Sequence, residues 1–182
     1  MITKMLTTLA AGLAMAGPLS LTPAHAAEDS GQLIQNVEHG QCLTVEGSGF
    51  VNTITGSAQP YGVTTRPCTD KHKPWQTWNI DADAHRVHPT AYPDKCLQAV
   101  QDGRLMFLQT LPCDPDNTNQ DFTFQNSQFR GEFVLVSGHT IQSNSAETYV
   151  GAYTSDSPGN SITLDRATDT PTPLQRWKTT PA

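Results

Sequence analysis

The chain has 182 residues and carries 11 Lys and Arg against 17 Asp and Glu, a formal net charge of −6. That acidic balance works against nucleic acid, whose phosphates reward a basic face, and against docking on anionic lipid by charge alone. The length suits one domain with an ordinary core.

The N-terminal stretch reads as a targeting segment. Lys4 supplies a small positive start, Met5 to Leu21 is mostly apolar and small, and Ala24-His25-Ala26 offers the small-x-small pattern that signal peptidase accepts. Residues 1–26 are therefore predicted to be a signal peptide and residues 27–182 a single secreted domain. A membrane anchor is the competing reading. Pro18 and the threonines leave the apolar run too short and weak to span a bilayer, and no later segment is apolar enough. The four cysteines, Cys42, Cys68, Cys96 and Cys113, all follow this segment. An even count behind a signal peptide implies an oxidising compartment and two disulfides, for which three pairings are open. Zinc is disfavoured: there is no Cys-x-x-Cys pair, and no histidine is suitably spaced from a cysteine.

Beyond residue 30 no apolar stripe at helical spacing runs longer than two turns. Short apolar or alternating runs recur instead: Gly31 to Val37, Cys42 to Val45, Arg104 to Leu108, Glu132 to Val136 and Ser161 to Leu164. Gly, Pro, Asn, Asp and Ser separate them, which predicts an all-β barrel or sandwich. His85-Arg86-Val87-His88 invites a metal reading, but residues three apart on a strand face opposite sides, so a hairpin is expected. Asp114-Pro115-Asp116-Asn117 lacks the glycine and terminal glutamate of a calcium loop and reads as a turn. No Gly-x-Ser-x-Gly, His-Glu-x-x-His or phosphate-loop motif is present. The chain is thus read as non-catalytic, without metal or cofactor.

An internal repeat organises the whole. Gln76-Thr77-Trp78 matches Gln175-Arg176-Trp177, and Gln120-Asp121-Phe122 is a weaker copy. Each follows a partner segment: Gln41-Cys42-Leu43-Thr44-Val45, Lys95-Cys96-Leu97-Gln98-Ala99, and His139-Thr140-Ile141-Gln142-Ser143, where Ile141 stands in the cysteine's place. Repeats of about 31–80, 81–125 and 126–180 are each too small to bury an apolar face alone, but three sharing one centre can.

These motifs resemble the ricin-type β-trefoil lectins, whose repeat begins with Cys-Leu-Asp and ends with a second Cys and Gln-x-Trp. The resemblance spans about residues 31 to 180. It implies an all-β, three-repeat β-trefoil with disulfides Cys42–Cys68 and Cys96–Cys113, each contributing about 3 kcal/mol by loop-entropy reasoning. It implies that Trp78, Phe122 and Trp177 meet in the core, and that Gln76, Gln120 and Gln175 have their amides held by backbone groups, because an unpartnered buried amide costs a few kcal/mol. These are structural residues first.

In galactose-binding members, the resemblance places a carboxylate two residues after the first cysteine and a glutamine four before the second. It also places an aromatic two before the second cysteine and an Asn ahead of the Gln-x-Trp glutamine. Repeat one has Thr44, Thr64, Arg66 and Trp75 at those places. Repeat three, counted from Ile141 and back from Gln175, has Ser143, Thr163, Asp165 and Leu174. Repeat two departs least: Gln109, Asn119 and Gln120 are kept, Gln98 replaces the carboxylate, and Leu111 replaces the ring. Gln98, Gln109, Asn119 and Gln120 are accordingly the candidate sugar contacts. Trp75, Tyr149 and Tyr153 offer further aromatic surface. The expected role is glycan binding, at a cell surface or in polysaccharide, by a free-standing lectin or the targeting subunit of a multi-chain toxin or hydrolase. The alternative is a secreted protein-interaction module, an inhibitor or assembly subunit, whose sugar sites have degenerated.

Overall fold

The computed structural model describes residues 31–47, 61–70, 73–102, 105–138, 148–153, 160–166 and 168–182. The segment read as a signal peptide and the partner segment at 139–143 lie outside them. Among the described residues the chain forms twelve strands, four in each third. They are β1 (Gln32–Asn36), β2 (Gln41–Val45), β3 (Val63–Pro67) and β4 (Thr77–Asp81); β5 (Arg86–Pro89), β6 (Lys95–Asp102), β7 (Leu105–Pro112) and β8 (Phe122–Asn126); and β9 (Phe133–Ser137), β10 (Thr148–Tyr153), β11 (Asn160–Arg166) and β12 (Arg176–Pro181). A single helical turn precedes the last strand of each set, at Lys73–Gln76, Thr118–Gln120 and Pro173–Gln175.

The first and last strands of each set make the barrel wall through antiparallel ladders β1–β4, β4–β5, β8–β9, β9–β12 and β12–β1. The middle strands form three hairpins, β2–β3, β6–β7 and β10–β11. A barrel wall with three hairpins is the β-trefoil. The two ends of the chain meet where β1 lies along β12 over five residue pairs, Gln32 to Pro181 through Asn36 to Trp177. Asn36 is fully buried at that join and donates its amide to the carbonyls of Leu174 and Arg176.

The core is one cluster to which all three repeats contribute. Trp78 and Trp177 are fully buried and Phe122 nearly so, among Ile34, Leu43, Leu97, Leu135 and Ile162. Each indole has its N–H satisfied by a hairpin carbonyl: Trp78 donates to Leu43 at 2.9 Å and Trp177 to Val150 at 2.8 Å. The matching bonds correct the register of repeat three. Val150 fills the place of Leu43, so the partner segment of that repeat is β10 rather than His139 to Ser143. The cross-strand pairs agree: Tyr149 faces Asp165 as Cys42 faces Arg66, and Gly151 faces Thr163 as Thr44 faces Thr64. The cysteine's place therefore belongs to Tyr149, not Ile141, and the carboxylate's place to Gly151, not Ser143. Spacing misled because the loop that reaches this strand differs in length between repeats.

The glutamines behave as buried amides must. Gln76 accepts from the Thr69 amide and donates to the Pro67 carbonyl and Thr44 Oγ1; Gln120 accepts from the Asp114 amide and donates to the Pro112 carbonyl and Gln98 Oε1. The partners occupy equivalent positions, so one bonding scheme is used twice. Gln175 accepts from the Thr172 amide. Both disulfides fall within repeats, Cys42–Cys68 and Cys96–Cys113.

Wall neighbours β5 and β8 are joined differently. Phe122 N–H donates to the His85 carbonyl at 2.8 Å, and His85 holds φ of 56° to present it. Beside this bond the buried Arg86 guanidinium pairs with the Asp121 carboxylate and donates to the Ala84, Asp114 and Pro115 carbonyls. One side chain thereby ties β5 to the loop that carries Gln120.

Emptying the Trp177 site by Trp177→Ala should cost about 3–5 kcal/mol in equilibrium denaturant unfolding. Arg86→Met should cost about 2–3 kcal/mol in the same measurement, short of a fully buried pair because the Asp121 carboxylate keeps contact with water.

Candidate functional site

Side chains two apart on a strand share a face, and so do directly paired residues on neighbouring strands. In repeat one this puts Thr44 and Arg66 on one face of the β2–β3 hairpin, because Thr44 pairs with Thr64, and Arg66 pairs with Cys42. Glu46, just past β2, continues that face, and its carboxylate accepts from Arg66 Nε at 2.7 Å. On the helical turn Lys73–Gln76, successive side chains diverge by about 100°. Gln76 therefore goes inward, fully buried, while its neighbour Trp75 stays 41% exposed. The two elements enclose a cleft of about 420 Å³ lined by Thr44, Val45, Glu46, Gly47, Arg66, Trp75 and Tyr92.

The cleft gathers three of the four repeat-one places picked out by the resemblance, with different chemistry in them. Thr44 already serves Gln76 as acceptor and donates its own hydroxyl to the Cys42 carbonyl at 2.8 Å. Glu46, outside the family places, supplies the carboxylate. Arg66 supplies guanidinium donors, and Trp75 supplies the ring. Glu46 and Tyr92 were not singled out in the sequence. The alternation Thr44–Glu46 on a strand running into its loop is the signal by which Glu46 was findable. Tyr92 follows β5, belongs to the next repeat and gave no such signal. Its ring meets Tyr61 edge-on at 4.9 Å.

In repeat two, Gln98 and Gln109 sit directly opposite one another on the β6–β7 hairpin, both half-buried, with Leu111 on the same face. Gln120 is buried behind them, and Asn119 is half-buried on the helical turn. All four candidate residues thus belong to one corner of the repeat. The Gln98 carbonyl oxygen accepts from Asn117 Nδ2 at 3.1 Å and Gln120 Nε2 at 3.0 Å. It therefore completes the internal network with the same oxygen that a sugar hydroxyl would need. In repeat three, Asp165 on β11 stands where Arg66 stands in repeat one. Burial raises its carboxyl pKa above the ordinary carboxylate value. The side chains of Tyr149, Tyr153 and Thr163 lie outside the described residues.

The histidines separate as the hairpin reading expects: His85 lies in the β4–β5 turn and His88 on β5. The sequence spacing, however, concealed one contact. His88 Nδ1 lies 3.6 Å from Cys96 Sγ and 3.5 Å from Cys113 Sγ. Among the described residues, no helix is long and apolar enough to cross a membrane.

The three-fold barrel and the repeated glutamine–aromatic node define a β-trefoil. Residues 30–177 match the sequence model of the ricin-type β-trefoil lectin domain, and the chain belongs to that family. No curated protein sequence matches it. Among solved structures it is similar to the earthworm lectin C-terminal domain mutant in complex with 6'-sialyllactose. That match has a TM-score of 0.57 and 15% identity over 82% of this chain and 97% of the other. It is similar to the Haemophilus ducreyi cytolethal distending toxin, with a TM-score of 0.61 and 18% identity over 85% and 86% of the two chains. It also resembles the designed three-fold symmetric protein ThreeFoil, with a TM-score of 0.62 and 14% identity over 83% and 98%. At these identities the likeness establishes the fold.

A raised Asp165 pKa means that the folded chain holds that proton more tightly than the unfolded one. Stability should therefore fall as pH rises from the ordinary carboxylate value through the folded one. Unfolding curves across that range should slope less in Asp165→Asn, and carboxyl NMR titration should give Asp165 a midpoint above 3.8.

Proposed function

We propose that this chain is a secreted, non-catalytic carbohydrate-binding protein that takes glycan in the repeat-one cleft. The observation that carries the reading is the exposed Trp75 beside the Glu46–Arg66 pair, in a cleft at the family's own place in the repeat. A sugar ring has an apolar face that stacks on an indole, and vicinal hydroxyls that donate to a carboxylate and accept from a guanidinium. The cleft holds one of each. Family membership supports binding as the role, and the two intra-repeat disulfides fit an oxidising compartment. The reading includes a signal peptide at residues 1–26 and a single three-repeat domain at 27–182. The partner is a glycan or glycoprotein at a cell surface or in polysaccharide. Gln98, Gln109, Asn119 and Gln120 form a second, weaker candidate site, in which a sugar hydroxyl would have to share or displace the bonds on the Gln98 oxygen.

A second reading is favoured by that internal satisfaction of Gln98 and by the likeness to a toxin chain: a protein-interaction subunit whose repeat-two pocket has been given over to structure.

A glycan array with the purified domain separates the two. Binding by the parent that falls about tenfold or more in Trp75→Ala, with unfolding unchanged, places the ligand in repeat one; the loss of one aromatic contact of about 1.5 kcal/mol sets that scale. A loss on Asn119→Ala alone would move the site to repeat two. A blank array from folded protein, with a second chain co-purifying, would replace glycan binding by the subunit reading.

A further inference from the structure

Separate from the cleft, one cluster joins two repeat elements with metal-binding atoms. His88, Cys96 and Cys113 each offer one ligand atom, and the three lie within 4.8 Å of one another. Cys96 and Cys113 are the disulfide of repeat two. His88 comes from β5, in backbone register with Asn79 of β4, and is held half-buried over both sulfurs.

We infer that reduction of Cys96–Cys113 turns this corner into a zinc site with His88 Nδ1, Cys96 Sγ and Cys113 Sγ as ligands. Zinc takes thiolate sulfur at about 2.3 Å and imidazole nitrogen at about 2.0–2.1 Å in a tetrahedron, so nitrogen and sulfur on one edge stand about 3.5–3.6 Å apart. Nδ1 stands 3.6 Å from one sulfur and 3.5 Å from the other. Only the sulfur–sulfur edge must open, to about 3.8 Å, and breaking the bond drives the sulfurs apart in that direction. Cys96 is fully buried and Cys113 exposed, so the corner is reached from solvent on the Cys113 side. Three protein ligands with one open position is the pattern of sites that take a water or an exogenous donor.

The chemistry balances with a dithiol reductant. Its thiolate attacks the exposed Cys113 sulfur and Cys96 leaves as thiolate. The second reductant thiol then closes a disulfide and releases Cys113, so two electrons and two protons pass to the protein sulfurs. Zinc then displaces the thiol protons to solvent, and neutral His88 contributes a lone pair. The repeat-one disulfide provides an internal contrast. Beside Cys68 Sγ, at 3.5 Å, stands the Gln35 amide nitrogen, which has no lone pair to give. The same corner of the fold thus carries a ligand in one repeat and a spectator in the other.

The test uses the full domain, reduced under native conditions with a phosphine and titrated with zinc or cobalt. One metal per chain should bind, with a thiolate-to-cobalt charge-transfer band. Zinc should slow alkylation of Cys96 and Cys113, but not of Cys42 and Cys68. His88→Gln, with the oxidised fold checked by near-ultraviolet circular dichroism, should lose roughly 100-fold in affinity and the selective protection with it. Absence of binding by the reduced parent, equal affinity in His88→Gln, or equal protection of all four cysteines would each overturn the assignment.

Discussion

The fold depends on one recurring constraint: an aromatic ring and the glutamine two residues before it must both be buried, and both must find partners. The ring of Trp78 reaches the shared centre and hands its N–H to a hairpin carbonyl, while Gln76 turns back and staples the loop after the second cysteine. An unpaired amide there costs about as much as a lost hydrogen bond with full desolvation, of order 1–3 kcal/mol. The loop is therefore fixed relative to the core wherever the motif occurs. Phe122 lacks the ring N–H and keeps only the packing half of the node. Repeat two compensates on its outer side, where Arg86 ties β5 to the loop bearing Gln120. At that seam of the barrel the Phe122 N–H to His85 carbonyl bond and the buried Arg86 stand side by side.

From that constraint follows the division between residues that hold the trefoil and residues free to bind. Gln76, Gln120 and Gln175 spend their amides inside the repeat. The residue two after the first cysteine is the hinge between the two duties, because it faces the cleft and also lies within reach of the glutamine amide. Thr44 and Gln98 both satisfy that amide. A carboxylate there would have oxygens enough for the amide and for a ligand; a threonine hydroxyl or one amide oxygen has less to spare. The consequence differs by repeat. In repeat one the carboxylate reappears two residues on, as Glu46, beside an aromatic at Trp75. In repeat two Val100 stands two residues on from Gln98, and Leu111 holds the aromatic's place.

What was legible in the sequence divides along the same line. The three Gln-x-aromatic motifs, the strand runs at Cys42 to Val45 and Glu132 to Val136, and the within-repeat pairing implied by the family resemblance all describe residues whose roles are local and repeated. Repetition makes a local role visible. The register of repeat three was misread because nothing in Tyr149 or Gly151 announces the cysteine's place, and the true correspondence rests on a bond between Trp177 and the Val150 carbonyl. Glu46, Tyr92 and the meeting of His88 with two sulfurs were hidden for a related reason. Glu46 is an unrepeated residue that carried only the strand alternation as a signal, whereas Tyr92 and His88 make their contacts between elements that the folded chain brings together.

The position of His88 shows how much freedom the scaffold leaves. In the first two repeats the entering strand passes over the disulfide of its repeat, with Gln35 doing so in the first and His88 in the second. Either side chain suits the folded barrel, since both are planar, polar and able to lie against sulfur. They differ in what they permit when the disulfide opens. An amide leaves two thiols with no third ligand, whereas an imidazole completes a set that holds the corner together through a metal in place of a covalent bond. Because the node at Gln120 and Phe122 anchors this loop independently of the sulfurs, the corner can exchange one crosslink for the other without surrendering the core, and Tyr92, on the loop between His88 and Cys96, is the residue through which that exchange would reach the repeat-one cleft.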